Sequence, residues 1–417
     1  MAALPTMQAE LFLSSAGVQW AVNAYLVASA TCIVLGGQAA DWFGARLASM
    51  VGLALFGAAS CIIAIADAQT TLLAGRTLQG LAVAVPCTLA AVDSGAAPER
   101  RAEAVGAWTG FLMLGFSIGP LLGGALTHIT GWRVIFWLNA LLMLVALAGM
   151  AYAGSATMRA DGTRGRRLDW IGFILLATFM VALVVGLHEV PHAGVTPLPL
   201  VGALLLAVAA FVLLLSVEAR AEAPLVDLSF FTRGAFVMGL AIGSLSMFSI
   251  IGLLLYFNLY AQSRDVGLTA LEAGASLLPL SAALLVLAML APAVAARLGL
   301  RNALTVGMAL ITVASAVIGA AVAQRSLILL SMGFLVMGAG LAVPYALAPR
   351  LALSALSPAQ TGQGSGIVNA CTFLGGSVGV AGGAIAFALG GFGAVLTMIA
   401  LAGIIGATLS RRIPKAG

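Results

Sequence analysis

Residues 198–217 read LPLVGALLLAVAAFVLLLSV, an apolar run of twenty residues in which no side chain is charged. A helix of about 20 apolar residues spans the roughly 30 Å hydrocarbon core of a lipid bilayer. The run is rich in Ala and Leu, as a helix would be, and lacks the alternation of an outer-membrane barrel strand. The predicted fold class is therefore all-α, and the chain is a polytopic membrane protein. We predict thirteen such helices, this one included, at approximately residues 18–38, 47–66, 71–92, 104–126, 134–153, 169–187, 198–217, 235–259, 271–292, 303–323, 326–349, 363–388 and 394–410.

The composition of the whole chain supports this class. Of its 417 residues, 62% are hydrophobic and only 8% are charged. A soluble domain carries about 25% charged residues, whereas a helix in lipid needs an apolar outward face. The four cysteines all fall inside predicted spans, without the spacing of a disulfide framework or a metal site. We therefore expect no metal, no cofactor and no enzymatic activity.

Positive charge is distributed asymmetrically over the predicted topology. The net charge of +5 would suit a nucleic-acid partner, but 15 of the 19 Lys and Arg residues lie on one side of the proposed membrane. Three lie on the other side, and Arg76 lies within a span. By the positive-inside rule, the side with fifteen charges is cytoplasmic. We expect a multi-pass protein of the cell membrane with a cytoplasmic C-terminus, embedded in a lipid bilayer and without a nucleic-acid partner.

The odd number of spans conflicts with the first residues of the chain. With a cytoplasmic C-terminus, thirteen spans place the N-terminus outside, yet residues 1–17 contain neither a basic n-region nor a cleavable signal. The simplest explanation is one further helix upstream of Met1 that ends near Pro5. We expect either a misassigned start codon or a truncation.

Two short patterns recur along the chain at nearly constant offsets. Gly44-Ala45-Arg46 recurs as Gly299-Leu300-Arg301, 255 residues later, and the run 85–90 recurs at 343–348, an offset of 258. Such a parallel repeat is a transporter signature. The predicted domains are an N-terminal helix bundle at 1–154, a cytoplasmic loop with two inserted helices at 155–220, and a C-terminal bundle at 221–417. The inserted pair carries few polar residues, so we expect it outside the transport core.

The segment 36–46, GGQAADWFGAR, joins two predicted spans on the cytoplasmic side. Gly44 allows a tight turn, and Asp41 and Arg46 can pair with each other or hold helix ends through the helix dipoles. A plain surface loop is an equally good interpretation of this segment alone.

Arg76 begins the sequence RTLQG, six residues into a predicted span. An arginine at that depth is costly and should face a cavity or a partner, which makes it a functional candidate. The alternative is that its side chain snorkels to the outer interface. Its counterpart in the second half, at offset 258, is Phe334, so the charge is not needed to build the helix.

A glycine-rich motif lies in the fourth predicted span, where residues 115–124 read GFSIGPLLGG. Glycines at every fourth position allow helix backbones to approach closely, and Pro120 loosens the helix. Simple helix packing is one interpretation, and bending of the helix during transport is the other. Gly375, Gly379 and Gly383 repeat the spacing in the second half.

Together these motifs resemble the major facilitator superfamily, specifically its 14-helix drug:proton antiporter branch, over nearly the whole chain. The chain departs from the branch where the signature loop has Trp42 and Ala45 in place of basic residues, and where Ala140 replaces a proline. The branch's first helix, with its acidic residue, is absent. The resemblance is carried in order by residues 19–26, 41–46, Arg76 with Gln79 and Gly80, residues 115–124, residues 132–136 with Asn139, residues 260–262, Ala273-Gly274 and Leu278-Pro279.

The resemblance implies two six-helix bundles around a central cavity, with the first helix missing and two helices inserted. It implies a secondary active transporter that exports small amphipathic or cationic organic molecules in exchange for protons, as in drug efflux. Arg76 would couple the proton to the substrate, and Gln79, Asn23, Tyr25, Tyr256 and Asn258 would line the cavity. Asp41, Gly44, Arg46 and Arg100 would form a cytoplasmic gate. Gly115, Gly119, Pro120, Gly123 and Gly124 would govern the bending helix.

The acidic residues leave alternatives open. None of the 14 Asp and Glu residues lies at the middle of a predicted span, although Asp93 and Glu272 lie near span ends. Proton antiport usually needs a buried carboxylate, so either the missing helix supplies it or the chain does not couple to protons. A non-transporting remnant, sensor or assembly partner is the second hypothesis. Uniport or uptake is the third, against which the glycine motif favours export.

Two enzyme-like patterns are set aside. HEVPH at 188–192 matches a zinc-protease motif, but Pro191 disrupts the helix that the motif requires. A nucleotide-driven pump needs a lysine in its phosphate-binding loop, and the only lysine is Lys415. We therefore expect no nucleotide partner, and energy must come from an ion gradient or a partner protein.

Overall fold

The structure is a computed structural model that describes residues 1–82, 88, 91–92, 100–152, 169–190, 197–221, 224–357 and 360–413. Within these ranges, side chains are described except at 36–42, 101–103, 105–106, 108–110, 112–113, 116–117 and 197. All regular secondary structure in the described ranges is helical, which confirms the all-α prediction. The α-helices are α1 (Leu4–Glu10), α2 (Ser15–Phe43), α3 (Ala45–Ala64), α4 (Gln69–Leu81), α5 (Arg101–Thr130), α6 (Arg133–Tyr152), α7 (Trp170–Glu189), α8 (Pro197–Glu218), α9 (Gly234–Ala261), α10 (Ala270–Ser276), α11 (Leu278–Leu298), α12 (Leu300–Gln324), α13 (Leu327–Leu353) and α14 (Thr361–Ser410).

The predicted spans agree with these helices. In the described part of the chain, ten segments are long and apolar enough to cross a membrane. They match eleven of the thirteen predicted spans, because α14 contains two of them. The remaining predictions, 71–92 and 104–126, fall on α4 and α5, where some residues or side chains lie outside the described set.

Helix α14 is a hairpin of two spans and not one long rod. Gly390 and Gly391 leave the helical conformation, and Gly391 has φ +62°. Glycine reaches this left-handed region without the steric cost that a side chain incurs there. The chain doubles back, because Met398 Sδ lies 3.3 Å from the position of a Cβ on Gly382. Residues 363–388 and 394–410 are therefore separate spans, as predicted.

The repeat is visible in matched backbone turns. Gly44 joins α2 to α3 with φ 83° and ψ 138°, and Gly299 joins α11 to α12 with φ 78° and ψ 146°. The two glycines are the pair at offset 255, so the recurring pattern marks equivalent turns. In this register α2 corresponds to α10–α11, α3 to α12, α4 to α13, and α5 to the first part of α14. Among the described residues of the first half, α9 has no counterpart.

Successive long helices alternate in direction, and this defines two ends of the bundle. Gly44, Arg233, Gly299 and Arg350 lie at one end, which we call the arginine-rich end. The turns at Gly131 and Gly391 lie at the opposite end.

The two halves meet along two seams that the repeat relates. In the first seam α2 runs beside α14, where Gly366 approaches the Cα of Val34. In the second, α5 crosses α10 near the opposite end, and a Cβ on Gly124 would lie 2.4 Å from the carbonyl oxygen of Ala270. A Cβ on Gly274 would likewise lie 2.6 Å from the carbonyl oxygen of Pro120. Each half thus pairs its second helix with the fifth helix of the other, as an axis along the membrane normal requires.

The inserted helices α7 and α8 form a hairpin that joins the rest of the protein through α7. Met180 and Val184 of α7 are buried in a cluster with Ile33 of α2 and Ile367 of α14. Helix α8 is largely exposed on its outer side, for example at Leu205. The hairpin therefore contacts both helices of the first seam.

At the opposite end, the short helix α1 is tied to α6. Glu10 accepts hydrogen bonds from Trp132 Nε1, at 2.6 Å, and from the Arg133 guanidinium, which also donates to Ala66 O at 2.9 Å. Burial opposes ionisation of Glu10, but the bonds from Arg133 and Trp132 prevail and hold the pKa of its carboxyl below its usual value. The pair is therefore ionised at neutral pH, and its contribution is lost as the pH falls through this lowered pKa.

Close backbone packing of α14 against α9 predicts a strong effect of one added methyl group. A Cβ on Gly375 would lie 2.4 Å from Ser244 O, whereas a Cβ on Gly202 of α8 meets nothing within 4 Å. We expect Gly375→Ala to destabilise the protein by about 1–3 kcal/mol through overpacking. Thermal unfolding in detergent should show a lower midpoint temperature for Gly375→Ala than for the wild type. The control Gly202→Ala should unfold at the wild-type midpoint. Equal midpoints for both variants would contradict the packing described here.

Candidate functional site

Arg76 lies inside the first half, where α4 crosses α2. Gly80 makes the crossing possible, because a Cβ there would lie 2.6 Å from both Tyr25 O and Ala28 Cβ. The Arg76 Nε donates to Ala21 O at 2.7 Å, and its Nη1 donates to Gln79 Oε1 at 2.9 Å. The motif RTLQG therefore has two local roles. Gly80 allows α4 and α2 to approach closely, and Gln79, one turn farther along α4, accepts a hydrogen bond from Arg76.

Gln79 is itself fixed by a second bond. Its Nε2 donates to Ser60 Oγ at 2.9 Å, and Ser60 Oγ donates to Phe56 O at 2.8 Å. Both Gln79 and Ser60 are buried. These two hydrogen bonds connect α4 to α3, so the amide oxygen of Gln79 points toward Arg76 before any ligand binds.

The guanidinium of Arg76 does not extend to the nearer end of the bundle. Its partner Gln79 lies three residues deeper along α4, and its Cζ lies 4.9 Å from the centroid of the Tyr25 ring. This geometry favours the functional interpretation of Arg76 over snorkelling, because a snorkelling side chain would point back toward residue 69.

The positive charge of Arg76 has no acidic partner among the described residues. The single ion pair there is that of Arg133 with Glu10, at the opposite end. A guanidinium has five N–H donors, of which Ala21 and Gln79 occupy two. Three donors are left without a described acceptor. The arrangement can therefore bind an oxygen-bearing or anionic group of a ligand, or the carboxylate of a proton carrier.

Asn23 and Tyr25 of α2 connect this region to the second half. Asn23 is fully buried, and its Oδ1 accepts a hydrogen bond from Ser377 Oγ of α14 at 2.9 Å. The ring of Tyr25 lies 6.3 Å from that of Phe373, also on α14. Asn23, Tyr25, Arg76 and Gln79 therefore form one group at the boundary of the two halves.

Tyr256 and Asn258 are not brought to this group by any described contact. Tyr256 is buried, and its hydroxyl donates to Val380 O at 2.6 Å. Asn258 Nδ2 donates to Leu254 O at 2.7 Å, and its Oδ1 accepts from Gln262 at 3.3 Å. Both side chains use their polar atoms within the second half. Their predicted role in lining the cavity stays a prediction.

The predicted gate is described in part. Gly44 has the positive φ of a tight turn, and Arg46 donates to Met150 O at 2.9 Å and Ala151 O at 3.2 Å. Arg46 therefore holds the end of α6 within the first half. Arg100 is exposed at the start of α5, and the side chain of Asp41 lies outside the described residues. The structure thus shows how Arg46 is anchored, and a latch with Asp41 stays a prediction.

The glycine motif of α5 contacts the second half at one end only. Gly124 and Pro120 lie against α10, as described above. Gly115 and Gly119 have no described atom within 4 Å of an added Cβ, whereas Gly379 in the second half would meet Phe248 O at 2.4 Å. On α5 the glycine face is therefore uncovered by described residues toward the arginine-rich end. This arrangement permits bending, which stays a prediction.

Ser60 and Ser377 belong to the site but were not predicted from sequence. Each is one of two serines in its predicted span, and only the fold reveals that Ser60 supports Gln79 and that Ser377 bonds to Asn23. Ser377 lies at offset 258 from Gly119 of the glycine motif, which is a signal that could have found it, whereas no comparable signal marks Ser60.

Comparison with known proteins supports a membrane transporter. Residues 1–380 match the family model described as Major Facilitator Superfamily. The chain is 32% identical over 381 residues to the tetracenomycin C resistance and export protein of Streptomyces glaucescens, covering 90% of this chain and 70% of that protein. It is 30% identical over 383 residues to the multidrug resistance protein Stp of Mycobacterium tuberculosis, covering 91% and 70%.

The fold is also similar to solved structures. The human organic anion transporter MFSD10 superposes with a TM-score of 0.63 at 19% identity, covering 98% of this chain and 88% of that one. At this identity the likeness concerns the fold alone.

The bond between Asn23 and Ser377 predicts energetic coupling between the halves. In a double-mutant cycle with Asn23→Ala and Ser377→Ala, we expect a coupling of about 0.6 kcal/mol and at most about 1.7 kcal/mol, the range for hydrogen bonds between membrane helices. The measurement is the free energy of unfolding in mixed micelles. Pairing Asn23→Ala with Ser315→Ala is the control, because Ser315 bonds only to Ile311 O of its own helix. Additivity in both cycles would contradict the assignment of this bond.

Proposed function

The chain belongs to the major facilitator superfamily, and from that premise we propose that it exports small amphipathic or cationic organic molecules from the cell in exchange for protons. Membership of this family makes it a multi-pass membrane transporter of small molecules, and not an enzyme. The direction of transport, the coupling ion and the substrate are the proposal.

Export is supported by what the relatives are named for. Both relatives described above are resistance proteins, and one is named for export of tetracenomycin C. We place the arginine-rich end in the cytoplasm by the positive-inside rule, so that the C-terminus is cytoplasmic and substrate leaves through the opposite end.

The observation that carries the proposal is the part-buried charge of Arg76 at the boundary of the halves, which has no acidic partner among the described residues. Its three remaining donors favour a substrate that presents carbonyl, phenolic or carboxylate oxygens. Tyr25 and Phe373 offer aromatic surface beside it. A cationic group on a substrate would have to lie away from Arg76, because like charges repel in a medium of low dielectric.

Coupling to protons is proposed through the same charge. A positive guanidinium lowers the cost of ionising any carboxyl that approaches it, so a proton carrier near Arg76 would release its proton when substrate is absent. A substrate oxygen competing for the same donors would exclude that carboxylate. Competition of this kind is sufficient for antiport.

The cycle would proceed by alternating access of the two halves. The seams of α2 with α14 and of α5 with α10 would act as the axis, with Asn23 and Ser377 close to it. Bending of α5 at Gly119 and Pro120, and release of the gate held by Arg46 and Arg100, would open the arginine-rich end.

The proposal is tested by transport into or out of lipid vesicles containing the purified protein. The probes are tetracenomycin C and the amphipathic cation ethidium, driven by an imposed pH gradient with the membrane potential clamped. We expect transport to follow the pH gradient and to stop when the gradient is collapsed.

Arg76→Ala is expected to lower the rate at least about tenfold, because charge-assisted hydrogen bonds are worth about 1.5–3 kcal/mol. Thr77→Val is the control, since Thr77 is exposed on the same helix and bonds only to Leu73 O. Wild-type rates in Arg76→Ala would refute the role of Arg76. Transport indifferent to the pH gradient would refute the coupling, and absence of any transport by the wild type would favour a non-transporting protein.

A further inference from the structure

We propose that Asp169 and Glu218 form a proton-binding site that holds one proton between two carboxyl groups. The site lies at the base of the inserted hairpin, at the arginine-rich end. Asp169 is the N-cap of α7, and Glu218 is the last residue of α8. The proposal depends neither on the substrate nor on the role of Arg76.

The two carboxyl groups converge on one point, the position that a Cβ on Gly172 would occupy. A Cβ on that residue would lie 2.4 Å from Glu218 Oε1 and 2.6 Å from Asp169 Oδ2. Since 2.4 Å and 2.6 Å add to 5.0 Å, the two oxygens are no farther apart than that. Any residue other than glycine at position 172 would push one carboxyl group away.

Each carboxyl group has one oxygen with a donor and one without. Asp169 Oδ1 accepts from Gly172 N at 2.7 Å, and Glu218 Oε2 accepts from Val226 N at 3.1 Å. Asp169 Oδ2 and Glu218 Oε1 are buried and have no hydrogen-bond partner among the described residues. These are the same two oxygens that converge on Gly172.

A proton shared by the two carboxyl groups would give the two free oxygens a hydrogen bond to each other. Glu218 is only 4% exposed, and a buried acceptor without a donor is destabilising. If one carboxyl is protonated, its O–H donates to the free oxygen of the other, and the pair carries one negative charge in place of two. Two ionised carboxylates at this distance repel each other, which is the condition under which one of them keeps its proton.

Charged groups on the neighbouring elements do not neutralise the pair in the described structure. Asp227 Oδ1 accepts from Ser229 N, and Arg233 donates to Ala355 O at 2.6 Å. Arg220 is exposed, and no described bond joins it to either carboxyl. Arg166 and Arg167 lie outside the described residues. The described side chains of α2 and α14 that pack against the hairpin are mostly apolar, with Thr31 and Gln363 among the polar ones. The side chains of residues 36–42, Asp41 included, lie outside the described set.

Hydrogen bonds connect the site to the first seam. Glu218 holds Val226 N, and Gln363 of α14 donates to the preceding carbonyls, Pro224 O at 2.7 Å and Leu225 O at 2.9 Å. Three residues farther along α14, Gly366 lies against α2. Loss of the proton would make the two carboxylates repel each other and would pull on the segment that Gln363 holds. The protonation state of the pair would therefore affect the contact between the two halves.

The site is tested by infrared difference spectroscopy of the purified full chain in lipid nanodiscs during a pH titration. A protonated carboxyl gives a C=O stretching band that is distinct from the carboxylate bands and shifts in heavy water. We expect the wild type to lose one such band as the pH is raised, and Glu218→Gln and Asp169→Asn each to lack it. Asp265→Asn, at an exposed position, should retain it.

Three results would overturn the proposal. The wild type would show no titrating carboxyl band, or the band would persist in both variants. Alternatively, added sodium or magnesium ions would abolish the band at constant pH, which would make the site a cation site. Each variant tests the assignment independently, and the ion additions use the wild type alone, so the test does not fail if one variant misfolds, and it needs no transport activity.

Discussion

The architecture depends on direct approach of helix backbones at glycines. In lipid, no hydrophobic force draws two apolar helices together, so contact must come from close packing and from polar groups that satisfy one another. The halves meet where Gly124 and Gly274 bring α5 and α10 into backbone contact, and where Asn23 bonds to Ser377.

The same constraint explains why Arg76 stands out. Burying a guanidinium is costly unless its donors are occupied, and two of them are held by Ala21 O and Gln79. Its counterpart Phe334 is fully buried, and its ring centroid lies 4.8 Å from that of Phe257. The equivalent position in the second half therefore belongs to the hydrophobic core. The two halves share a fold, but only the first carries a charge at this position. Asp169 and Glu218, at the base of the inserted hairpin, are acidic groups whose burial is costly for the same reason.

Much of the fold could be predicted from the sequence, because the length and polarity of each apolar run are local properties. The two spans within α14 were predicted from the apolar runs 363–388 and 394–410, and the repeat was found from Gly44 and Gly299. The group around Arg76 was predicted in part, since i to i+3 spacing places Gln79 beside it. The burial of Glu218 was not predicted, because it depends on contacts with Val226 and with α7. Contacts between distant segments, such as that of Asn23 with Ser377, cannot be deduced from one sequence by periodicity.

We propose that the two halves rock about a boundary that contains Asn23, Arg76 and Ser377. The most direct test measures distances between spin labels at both ends of the second seam, with and without substrate. One pair joins the exposed positions Ile129 and Asp265 at the opposite end, and the other joins Arg100 and Leu298 at the arginine-rich end. The account predicts that one distance grows as the other shrinks. Two distances that stay fixed, or that change in the same direction, would contradict it.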